Sequence, residues 1–132
     1  MKAISSLNLT SKKQAAITAY ITRAQRRFPE RIRSVVLFGS QARGDAGPES
    51  DIDLLVLVDS EEEAIRAELW RIAFDVSLEQ DVVISPRVFG PKRWAEIGHI
   101  RLPLYRAILT DGIPLTAKGD RHLADRPHKQ PL

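Results

Sequence analysis

Two aspartates separated by one residue, Asp51-Ile52-Asp53, open a run of leucine and valine, DLLVLV. Residues i and i+2 of a strand point to the same face, so these two carboxylates project side by side. Like charges that close raise the pKa of one partner unless a cation lies between them. An oxygen-seeking divalent ion, Mg²⁺ before others, resolves the conflict. Gly39-Ser40, separated from Asp51 by ten residues, ends an earlier apolar run, Val35 to Phe38. Gly39 permits backbone conformations closed to other residues and lets a ligand approach the main chain. Ser40 adds a hydroxyl, and the amides of such a turn can donate to a phosphate. Arg43 supplies a forked cation suited to phosphate oxygens. A third carboxylate, Asp81, heads another apolar run, DVVIS. If that strand lies beside the second, Asp81 falls next to the pair. Three carboxylates around one or two metal ions, facing a phosphate-binding turn, describe metal-assisted phosphoryl or nucleotidyl transfer.

Each of these residues also has a plainer use. An isolated Asp-x-Asp occurs at strand starts for solvation alone, Ser40 suits any turn, Arg43 could brace its loop, and Asp81 could be a solvated strand leader. Their joint occurrence at this spacing, between apolar strands, favours the chemical use. Asp45 and Asp59 are assigned to loops. His99, His122 and His128 show no metal-ligand spacing. Trp70, Trp94 and Tyr105 fall in helical stripes and are expected in the core or an interface.

The elements that must position these side chains follow from periodicity. Met1 to Leu9 reads as a loose lead-in. Ser11 with Gln14 resembles a capping box, and Ile17, Tyr20, Ile21, Ala24 and Phe28 recur at helical spacing until Pro29. Ile32 to Phe38 is the first strand, and Asp51 to Val58 the second, apolar enough to be buried on both faces. Ser60 with Glu63 makes another capping box, opening a helix to about Phe74 or a few residues beyond. Asp81 to Ser85 is the third strand, and Pro86 to Pro91 a loop. Short helices follow over Lys92 to about Gly98 and Leu102 to Leu109, with Pro103 in the first turn of the second and Gly112 as its cap. Ile113 to Leu115 can pair as a weak edge strand. The expected class is α+β: a small mixed sheet with helices packed on one face.

At 132 residues the chain is long enough for one core but not two. Residues 1–116 form the expected domain, and 117–132, rich in Lys, Arg, His and Pro, a flexible basic tail. The net charge of +3 suits an anionic nucleotide, and nucleic acid is not expected as a direct ligand, since much of the excess lies near the chain ends. No run approaches the roughly 18 apolar residues of a membrane span, and no signal peptide is visible. The absence of cysteine excludes disulfides and thiolate metal sites and points to a cytoplasmic protein.

The pattern G-S-x10-D-x-D, here Gly39, Ser40, Asp51 and Asp53, resembles the signature of the minimal nucleotidyltransferases (MNT) of the DNA polymerase β-like superfamily. The likeness extends over roughly residues 10 to 116. It includes Arg43-Gly44 in the loop, the helix opened by Arg101-Leu102-Pro103-Leu104, and the run Asp111-Gly112-Ile113-Pro114-Leu115 behind it. The resemblance implies the polymerase β-like nucleotidyltransferase fold. It further implies that Asp51, Asp53 and Asp81 are the metal-binding carboxylates, with Asp81 orienting or deprotonating the attacking hydroxyl, and that Gly39, Ser40 and Arg43 hold the nucleotide. Mg²⁺ (one or two ions) would be the cofactor and ATP the substrate. Members of this family commonly act as antitoxins of HEPN/MNT toxin–antitoxin pairs. They neutralise the HEPN-domain toxin by transferring AMP to a tyrosine or by binding it, so a hetero-oligomer is implied. Adenylyl transfer to a small molecule is the remaining alternative.

Overall fold

The computed structural model describes residues 2–4 and 7–116; the proposed tail at 117–132 lies outside the described residues. The elements run β1 (Lys2–Ala3), α1 (Ser11–Arg27), β2 (Ile32–Phe38), α2 (Ser40–Arg43), β3 (Ile52–Val58), α3 (Glu63–Gln80), β4 (Ile84–Phe89), α4 (Pro91–His99), α5 (Pro103–Asp111) and β5 (Ile113–Thr116). The strands form one sheet in the order β1-β5-β2-β3-β4. β2 runs antiparallel to β3 and β5, while β3 and β4 are parallel, as are β1 and β5. The sheet is therefore mixed, as the sequence implied.

The two central strands are apolar on both faces because both faces are covered. Ile52, Leu54, Val56 and Val58 join Val35 and Leu37 beneath the buried stripes of α1 (Ala16, Ile17, Tyr20, Ile21, Ala24) and α3 (Ile65, Leu69, Ile72, Ala73, Val76). The alternate residues Leu55 and Leu57, with Val36, Phe38 and Phe89, pack against Trp94 and Ile97 of α4 and Tyr105 and Ile108 of α5. Trp94 anchors this second layer, with its ring centroid 5.3 Å from Tyr105 and 6.2 Å from Phe89. Helices thus lie on both faces of the sheet rather than one. A strand buried on both sides needs two covers, and the short helices after β4 supply the second.

Other local expectations shift for identifiable reasons. The lead-in is not loose throughout: Lys2–Ala3 pairs with Leu115–Thr116, and Ile4 and Leu7 are buried in the larger core. A strand of two residues is too short for periodicity to reveal. The N-cap of α1 is Thr10, whose hydroxyl accepts from the Lys13 N–H, while Gln14 reaches back to the Leu7 and Leu9 carbonyls. The Ser60–Glu63 box does not form; α3 starts at Glu63 without a side-chain cap. β5 is no edge strand, because it pairs with β1 as well as β2.

The largest displacement is in the third strand. Asp81 is the C-cap of α3 in the left-handed conformation (φ 56°), with its N–H donating to the Ser77 carbonyl. Val82 and Val83 complete the turn, and the strand occupies Ile84–Phe89, most of which the sequence reading assigned to a loop. Pro86, which argued against a strand, is tolerated because β4 lies at the sheet edge, where its missing N–H breaks no second ladder.

Candidate active site

The end of β2 lies beside the start of β3. Gly39 follows β2 at φ 75°, ψ −156°, a conformation that side chains other than hydrogen rarely permit. Its second constraint is spatial: a Cβ built there would stand 2.4 Å from Asp53 Oδ2. The Asp53 carboxylate therefore lies directly against the glycine. Asp53 pairs in register with Phe38, the residue before Gly39, so antiparallel pairing of two apolar strands brings the turn and the carboxylate together.

The chain then coils into α2, with the Ala42 and Arg43 N–H groups bonded to the Gly39 carbonyl. The N–H groups of Ser40 and Gln41 open that helix and so have no acceptor within it. Gly44 closes it at φ 83°, and the Gly44 and Asp45 N–H groups both bond the Ser40 carbonyl. Arg43 is half exposed and pairs with Asp45 at 3.2 Å and Asp111 at 3.8 Å, so it is braced by acids rather than fixed by the sheet. Asp45 and Asp59 both lie outside helices and strands, as expected.

Asp51 is exposed and Asp53 half-buried. Burial raises the Asp53 carboxyl pKa, and the Asp51 charge raises it further; Arg87 and Arg43 oppose both. Side-by-side carboxylates thus create the electrostatic conflict expected of them. Arg87 is not legible in the sequence, because Pro86 beside it disguises the strand that carries it. It sits on β4 two residues beyond Ser85, the register partner of Asp53, and so on the same face.

Asp81 does not join them. Its side chain is 96% exposed and pairs with Lys12 of α1 at 3.2 Å. Among the described residues no group of three or more His, Cys, Asp or Glu could hold a metal ion. The expected triad is thus a pair, because the strand Asp81 was to lead begins three residues later. The pair still fits Mg²⁺, which is commonly held by one or two carboxylates together with substrate phosphates. Asp51 and Asp53 are hard oxygen donors whose mutual repulsion a cation would relieve.

Two further residues escaped the sequence reading. Gln41 is buried on α2, donating through Nε2 to the carbonyl oxygens of Ser50 at 3.0 Å and Asp51 at 3.3 Å. Its Oε1 accepts from Nζ of Lys13 at 3.3 Å. Lys13 lies in the apolar stripe of α1, three and four residues before Ala16 and Ile17; a lysine at a core position was the signal available.

A nucleotidyltransferase domain model matches residues 17–111. The chain belongs to that nucleotidyltransferase family. Among individual proteins it is similar to two from Methanocaldococcus jannaschii named "Putative protein adenylyltransferase", MJ0141 and MJ0604. Identity is 40% over 46% of this chain and 62% of the first, and 41% over 35% of this chain and 46% of the second. The matches thus span less than two thirds of either relative. Among solved structures, the fold is similar to a toxin–antitoxin with AMP-PNP (TM-score 0.51, 21% identity, 80% of this chain and 77% of that one). A mutant MntA–HpeT toxin–antitoxin is similar at TM-score 0.50 and 20% identity, over 77% of this chain and 74% of that one. No helix among the described residues is long and apolar enough to cross a membrane.

Proposed function

We propose that this chain is a Mg²⁺-dependent adenylyltransferase that moves AMP from ATP to a tyrosine hydroxyl of a HEPN-domain toxin and thereby acts as its antitoxin. The observation that carries this is the seating of the Asp53 carboxylate against Gly39, where no Cβ would fit. It sets one of the two carboxylates against the Gly39-Ser40 turn and so supports a single site. The family match supports the reaction class. The relatives named as protein adenylyltransferases support a protein acceptor, and the toxin–antitoxin fold neighbours suit the partner.

In this scheme Asp51 and Asp53 hold Mg²⁺, and Gly39, Ser40 and Arg43 bind the nucleotide's phosphates. When bound, Mg²⁺ would neutralise charge developing on the triphosphate. The acceptor oxygen forms a bond to the α-phosphorus as the bond to the β-phosphate bridging oxygen breaks, and pyrophosphate leaves. Gly39, lacking a Cβ, leaves room for the Asp53 carboxylate beside the turn. Asp81, exposed at the end of α3 and paired with Lys12, is assigned no part in the step. The hydroxyl proton leaves to water or to a base on the acceptor. Label is expected to pass from α-labelled, but not γ-labelled, ATP to the co-expressed HEPN protein. Replacing Asp51→Asn and Asp53→Asn together should lower transfer by about a hundredfold or more; undiminished transfer would end the proposal.

One observation favours a second reading, neutralisation by binding alone: among the described residues no group of three carboxylates assembles where three were expected. It predicts that the double variant still co-purifies with the toxin and still suppresses its toxicity.

A further inference from the structure

The ten residues between Ser40 and Asp51 decide where the carboxylate pair stands relative to the Gly39-Ser40 turn. That spacer contains Gly44, Gly47 and Pro48, and no strand or long helix stiffens it. A chain of hydrogen bonds, buried between Lys13 and Gln41 and half-buried beyond them, holds it instead. Lys13 Nζ donates to the Gly47 carbonyl at 3.1 Å and to Gln41 Oε1 at 3.3 Å. Gln41 Nε2 grips the Ser50 and Asp51 carbonyls. Lys13 is 8% exposed and Gln41 5%. Among the described residues the Lys13 ammonium has no carboxylate partner, only carbonyl oxygens. A buried ammonium so placed is expensive, and an apolar residue of similar size is often the more stable choice. Stability alone therefore gives a poor account of Lys13.

We infer that Lys13 and Gln41 are positioning residues. They clamp α1 through α2 onto the peptide of Asp51, fixing the carboxylate pair at the separation from Gly39-Ser40 that a magnesium–triphosphate complex requires. This rests on the nucleotide-binding role proposed above, but the clamp itself is a property of the free protein. It acts one step back from the ligands, where such partners commonly govern metal affinity.

The test uses the full chain and three variants, Gln41→Glu, Gln41→Met and Lys13→Met. In the ligand-free protein, amide hydrogen exchange across residues 47–53 is expected to quicken in all three. Gln41→Glu keeps an oxygen for Lys13 and adds a counter-charge, so its melting temperature is expected to hold or rise. It nevertheless loses both donors to the Ser50 and Asp51 carbonyls. Calorimetry with ATP in Mg²⁺ and in EDTA should therefore show the metal-dependent gain in affinity falling about tenfold, with affinity in EDTA unchanged. Gln41→Met checks that this follows from lost hydrogen bonds rather than added charge. Unchanged exchange at 47–53 in all three variants would overturn the clamp, as would losses of affinity that simply track melting temperature. A wild-type chain that binds ATP no better with Mg²⁺ would instead refute the nucleotide role, while the exchange measurement still decides the clamp.

Discussion

Gly39 carries two constraints that a substitution separates from ordinary turn chemistry. Gly39→Ala must adopt φ 75°, which costs about 1–2 kcal/mol for an L-residue, and must also displace the Asp53 carboxylate from 2.4 Å. Both effects act together, so the variant should melt lower and lose Mg²⁺-dependent ATP binding, measurable by thermal scan and calorimetry. Asp53 makes an opposite prediction for stability. Burial first, then the Asp51 charge, raises its pKa in the folded state above the unfolded value, so the fold prefers the protonated form. The stability this contributes is present below the unfolded carboxylate pKa and lost as pH rises through the higher folded value. Asp53→Asn, which cannot ionise, should therefore melt above the wild type at neutral pH in EDTA. The difference should close as the solution is acidified through the carboxylate range. Addition of Mg²⁺ should stabilise the wild type alone. A variant that melts no higher at pH 7 would contradict the electrostatic picture of the pair.

At the scale of elements, the register of β4 separates the structure from the sequence reading most sharply. The run DVVIS carries β-branched residues and an apolar core, the usual marks of a strand. Yet α3 continues to Gln80, and its outward face exposes Trp70, Phe74 and Leu78. Because apolar residues sit on both sides of this helix, its periodicity fades before its end, and Asp81 to Val83 is spent on the cap and turn. Pro86 then disguised the true strand, whose edge position alone makes proline acceptable. Asp81→Asn should accordingly leave nucleotide binding and transfer unchanged. The left-handed conformation remains open to asparagine. Loss of an exposed pair with Lys12 should shift stability by no more than about 0.5 kcal/mol. A large fall in transfer with the fold intact would restore Asp81 to the site. Gly39, Ser40, Asp51 and Asp53 were legible because they depend on one antiparallel pairing between neighbouring strands in sequence. Arg87 and Lys13 were not, because each reaches the site from a segment distant in the chain; Gln41 was not, because a polar residue in a loop gives no sign that it is buried.

For the whole molecule, two apolar layers hold one mixed sheet, and the second hangs on Trp94. It is 1% exposed and touches both Phe89 and Tyr105, so Trp94→Ala should cost about 3–5 kcal/mol, read by urea denaturation. Such a loss would loosen α4 and α5 while α1 and α3 still cover the other face. By itself the sequence determined the α+β class, the two central strands, the Gly-Ser turn and the paired carboxylates. These follow from period-two hydrophobicity and from short-range spacing, which the chain carries locally. Only the tertiary structure decided that helices cover both sheet faces, that Asp81 pairs with Lys12, and that a buried lysine on α1 braces the loop before Asp51 through Gln41 and Gly47. Each of these depends on which distant segments share a face, and no local pattern of residue types encodes that.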